Sequence, residues 1–134
     1  MNRLYPNAKE LFATKQLSWT NDAIVCILVD TGVYTYSDAH QTLADIPSTG
    51  TVAVSGTMTG RVAPLGVCDA DDVSYPIVPI GPNVEACVLA VNSGTVATSF
   101  LVAYLDQAAG LPFSPDGGPA VIAWDNGTNR LFAL

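Results

Sequence analysis

Ala23-Ile24-Val25-Cys26-Ile27-Leu28-Val29 is the stretch on which the fold turns. The run is short for a helix and apolar at both alternating positions, so it reads as a strand covered on both faces. The rest of the chain must then supply that strand's neighbours and its two covers. Immediately upstream, Ser18-Trp19-Thr20-Asn21-Asp22 reads as the turn that delivers it. Before that turn a short helix is predicted over residues 7–15. Asn7 can cap it, Glu10 stands three residues on, and Lys15 falls at the negative end of the helix dipole. Ala8, Leu11 and Phe12 form its apolar face.

Downstream, a second short helix is predicted over Ala39–Asp45, with Asp38 and Gln41 as a capping pair and Pro47 forbidding continuation. Everything after it reads as β. Thr51–Thr59 alternates and is rich in β-formers, and Val67–Ala70 and Val73–Tyr75 follow. Pro76, Pro79 and Pro82 then break the chain into edge or loop. Val84–Val91 and Ser99–Leu105 read as a hairpin about Asn92-Ser93-Gly94-Thr95. After the long loop Asp106–Pro119, Ala120–Trp124 and Arg130–Leu134 bracket Asn126-Gly127, a strong hairpin signal. The last strand is expected to be pinned into the sheet. Seven or eight short strands with two short helices predict a mainly β chain, one domain over 1–134, built as an antiparallel β-sandwich. An antiparallel β-barrel is the alternative.

Charge narrows the function. Only 13% of residues are charged and 49% are hydrophobic, where an ordinary soluble domain carries about 25% charged residues. A compact monomer of this mass exposes roughly 6,700 Å², and five Lys+Arg with twelve Asp+Glu cover that area thinly. The sequence therefore points to assembly. The net charge of −7 and five scattered cations (Arg3, Lys9, Lys15, Arg61 and Arg130) offer no basic face, so nucleic acid is not an expected partner. No run approaches the roughly 18–20 apolar residues of a membrane helix. Met1–Pro6 lacks the apolar core of a secretion signal, and the chain is expected to be made in the cytoplasm.

Candidate chemistry is sparse. Cys26, Cys68 and Cys87 are odd in number and widely spaced, which suits buried reduced thiols better than disulfides or zinc. His40 is the only histidine and has no ligand-spaced companions. Asp69-Ala70-Asp71-Asp72 gathers three carboxylates but lacks the glycine and the closing glutamate of a calcium loop, so it reads as a solvated acidic turn. Leu28-Val29-Asp30-Thr31-Gly32 resembles the active-site signature of aspartic peptidases, faintly echoed by Ile77-Val78-Pro79-Ile80-Gly81. One copy per chain would have to dimerise so that two Asp30 carboxylates share a proton. Asp-Thr-Gly is equally an ordinary way to leave a strand, and Val33 and Tyr34 stand where that family places a small residue. Trp19, Trp124 and the tyrosines could serve a carbohydrate-binding sandwich, although aromatics at strand spacing belong more often to a core. Asn126-Gly127-Thr128 matches a glycosylation sequon and reads better as a turn. The expectation is of no catalytic residue, no metal and no cofactor.

Taken in order along the chain, these segments resemble a group of small virion structural proteins of tailed bacteriophages. The resemblance rests on Leu17-Ser18-Trp19-Thr20-Asn21-Asp22-Ala23-Ile24, Leu28-Val29-Asp30, Tyr34-Thr35-Tyr36 and His40-Gln41-Thr42-Leu43-Ala44-Asp45-Ile46-Pro47. It continues through Asp69–Tyr75, Gly94–Asp106, Gly110-Leu111-Pro112, Pro115–Gly118 and Trp124–Asn129. It implies a structural protein that is not an enzyme, located in the virion. Its expected role is capsid decoration (a cement protein), binding the major capsid protein and its own copies as a trimer or dimer. A neck, tail or head-fibre role is the alternative, and a dimeric aspartic peptidase using Asp30 is the alternative of another class. The expected contact elements are Met1–Leu17 and the loop Asp106–Pro119.

Overall fold

The computed structural model describes residues 3–124 and 131–133. Ile24–Val29 is buried at every position, as a strand covered on both faces must be. In chain order the elements are β1 (Arg3–Leu4), α1 (Pro6–Ala13), β2 (Ile24–Val29), β3 (Thr51–Val54), β4 (Val67–Cys68) and β5 (Val73–Tyr75). They continue with β6 (Ala86–Val91), β7 (Leu101–Leu105), β8 (Ala120–Ile122) and β9 (Phe132–Ala133). Five strands form one antiparallel sheet in the order β1-β7-β6-β2-β3, and two antiparallel ribbons, β4-β9 and β5-β8, lie apart from it.

Alternation along the strands explains the layering. Ile24, Cys26, Leu28, Cys87, Leu89 and Leu105 share a core with Cys68, Val73, Tyr75, Ile122 and Phe132 of the ribbons. Val25, Ile27, Val29, Ala86, Val88 and Ala90 share a second core with Tyr5, Ala8, Tyr34 and Ile46. The sheet is thus covered by the ribbons on one side, and on the other by the start of α1 and the segment after β2. The fold is mainly β and sandwich-like, as the sequence predicts. The β6–β7 hairpin also forms where expected, with a shift between Leu89 and Ala90 that sets Val102 and Ala103 together in the first core.

Four expectations need correction. The first helix runs from Pro6 to Ala13 with Tyr5 before it, so Asn7 is not its cap. Proline suits the first helical position because its missing N–H would be unsatisfied there anyway. Lys15 lies beyond the helix at φ +65°, its N–H on the Phe12 carbonyl and that of Gln16 on Leu11, which closes the helix by a left-handed residue. The second helix contracts to one 3-10 turn, Leu43–Asp45. The Asp45 carboxylate takes the amides of Gln41 (2.8 Å) and Thr42 (3.2 Å), and Leu43 N–H bonds to Ser99 O. Pairing with the start of β7 outbids a helix in this segment.

The strand expected over Thr51–Thr59 ends at Val54, and its pairing with β2 is bulged at Val52, with Leu28 opposite Ala53 and Val29 opposite Thr51. Beyond Val54, Ser55 Oγ accepts the Cys26 amide at 2.9 Å and replaces a rung of the ladder. Finally, the two C-terminal strands do not pair with each other. Tyr75 lies opposite Ala120, and Cys68 lies opposite Phe132. Each finds an earlier strand whose inward residues complete the core, which a lone hairpin could not do. The Asn126-Gly127 turn and the sequon lie outside the described residues.

Candidate functional site

Asp30 sits where β2 ends. Its carboxylate accepts the Gly32 amide at 2.9 Å, its own amide reaches Gly50 O, and its carbonyl takes the amides of Val33 and Tyr34. The Asp-Thr-Gly segment is therefore an Asx turn that redirects the chain across the sheet face. Thr31 from this turn joins Glu85, Tyr104, Asp106 and Pro112 around an open cleft of about 400 Å³. Two carboxylates, Glu85 and Asp106, line the cleft together with the more apolar Tyr104 and Pro112. Of the expected contact loop Asp106–Pro119, it draws in Asp106 and Pro112.

Beside the cleft the structure gathers residues that no motif connects. Tyr5, Tyr34, Tyr36 and Tyr104, from three parts of the chain, converge on one face of the sheet. Ring centroids lie 5.0 Å apart for Tyr5–Tyr36 and 5.4 Å for Tyr36–Tyr104. The Arg3 guanidinium stacks 4.5 Å from the Tyr36 ring centre. The hydroxyls of Tyr5 and Tyr34 lie 2.6 Å apart, and Tyr34 Oη is 2.9 Å from His40 Nδ1. His40 therefore belongs to a turn and ends a buried relay; it is not a helix residue. Burial raises the Tyr5 and Tyr34 hydroxyls above the ordinary tyrosine range. Burial, with the bond to Asp38, pushes Tyr36 up to about 12. These phenols are held neutral, which suits packing and hydrogen bonding rather than proton transfer near neutrality. The only sequence signal for the cluster was the Tyr34-Thr35-Tyr36 spacing; Tyr5 and Tyr104 come from distant segments.

The other flagged residues have structural work. Asp71 accepts from Thr59 Oγ1 at 3.0 Å, and Asp72 accepts the Trp124 amide at 3.1 Å. The acidic run immediately precedes β5 and ties two other segments to it, so it is more than a solvated turn. The Trp124 indole donates to Asp71 O, and the Trp19 indole is shared between Val62 O and Asp69 O. Both tryptophans are buried, which withdraws them from a carbohydrate platform. All three cysteines are free and buried. Burial pushes Cys68 up to about 11; the bond to Cys26 and burial raise Cys87. Neither thiol is an activated nucleophile. Among the described residues no cluster of His, Cys, Asp or Glu has metal-binding geometry. No helix among them is long and apolar enough to cross a membrane.

What the surface does display is apolar. Val33, Val54, Val62, Ile77, Ile80, Val96 and Val121 are exposed, and Leu65 is exposed completely. Leu65 also holds φ +53°, a left-handed conformation that costs a branched residue free energy. The chain presents 6752 Å², as a compact monomer of its mass should, so the apolar display does not come from an open structure. No protein-family model matches the chain, and no curated protein is significantly similar to it.

Proposed function

We infer that this chain is a structural protein of a tailed-phage virion, acting as a capsid decoration protein that binds the major capsid protein and its own copies. One observation carries the reading: a rigid β scaffold displays Leu65, Ile77, Ile80 and Val121 on a surface with about one charge per 400 Å². Surfaces that stay covered are more apolar than those facing water, and their cores are depleted of charge. A strained, fully exposed leucine fits a contact completed by a partner. The ordered resemblance along the chain names the kind of partner. In this reading Trp19 and Asp22 of the shared pattern serve the fold. Asp22 accepts the Ser18 amide and its carbonyl takes the Arg61 guanidinium, so the pattern preserves the scaffold while the surface does the binding.

Copy number tests it. Quantitative mass spectrometry of purified particles should find hundreds of copies, and six or twelve would move the chain to the neck or tail. The peptidase reading has its own test, hydrolysis of a casein-like substrate at acid pH abolished by Asp30→Asn. Such activity would overturn the structural role.

A further inference from the structure

We draw no further inference here: the strongest candidate, the exposed apolar surface that β8 and the loop after β5 present through Ile77, Ile80 and Val121, carries nothing because nothing in the structure shows what covers it.

Discussion

Replacing Tyr34 by Phe removes one oxygen and disturbs two bonds, one buried and one half-buried. Tyr5 is fully buried, and its hydroxyl bonds to Tyr34 at 2.6 Å. Tyr34 in turn reaches His40 Nδ1 at 2.9 Å, and His40 is partly exposed. Tyr34→Phe therefore strands the Tyr5 hydroxyl inside the protein, whereas His40 can turn to water. An unsatisfied buried hydroxyl costs about 1–3 kcal/mol, so the variant should lose about 2 kcal/mol. Tyr5→Phe is milder because Tyr34 can still donate to His40; about 1 kcal/mol is expected. The informative case is the double variant. With Tyr34 already Phe, changing Tyr5 removes the stranded group itself. Tyr5→Phe should then be neutral or stabilising in that background although it destabilises the wild type. Urea unfolding of the four proteins of the cycle, with constant m values, reads this coupling directly. Simple additivity of the two losses would refute the relay, since it would mean that each hydroxyl already has another partner.

Four further outcomes follow from the same geometry. Lys15→Gly should stabilise by about 0.5–1 kcal/mol in thermal unfolding, because glycine adopts the left-handed closing position of α1 freely. Gly60→Ala should destabilise by about 1–3 kcal/mol; at φ +65° a Cβ is strained and would collide with the Asp71 carboxylate. Asp45→Asn should cost about 1 kcal/mol at neutral pH. The backbone amides of Gln41 and Thr42 hold Asp45 below the ordinary carboxylate range, so its contribution is present above that range and fades as pH falls through the folded value. The difference between wild type and variant should therefore close in acid. At the alkaline end the sign reverses: Cys68 is raised to about 11 and Tyr36 to about 12, so stability should fall as pH rises from about 9 toward 12. Phenolate absorbance should appear together with unfolding, and titration of Tyr5 while the chain stays folded would contradict its burial.

The strands that form the sheet were legible because their pattern is local. Ile24–Val29 announces a doubly covered strand, and Ala86–Val91 with Leu101–Leu105 announces a hairpin through the turn between them. What misled were segments whose partners are distant. Ala39–Asp45 carries helix signals, but its backbone is claimed by Ser99 and Leu101, on either side of the Thr42–Phe100 bridge. The C-terminal hairpin signal is strong within a few residues, yet β8 and β9 go to β5 and β4. The tyrosine relay was invisible for the same reason, as Tyr5 and Tyr34 are 29 residues apart. The decoys failed differently. Asp30, Asp71 and Asp72 look like chemistry in a sequence because carboxylates serve both catalysis and turns, and only geometry shows the amides they hold.

That double use of carboxylates bears on the shortage of charge. Asp22, Asp30, Asp45, Asp72 and Asp116 each accept a backbone amide of their own chain, Asp71 holds Thr59, and Asp38 holds the Tyr36 hydroxyl. Arg61 closes the turn before β2, and Arg3 covers Tyr36. At least nine of the seventeen charges are thus engaged in shaping loops and covering the core. A surface selected to stay free in water would place extra charges where they do no folding work, since such charges are what keep copies apart. On this chain most of the charges sit where turns require them, and residues 46–60, which include the edge strand β3, have none. Selection for solubility alone does not produce that distribution, whereas the covered surface proposed above would.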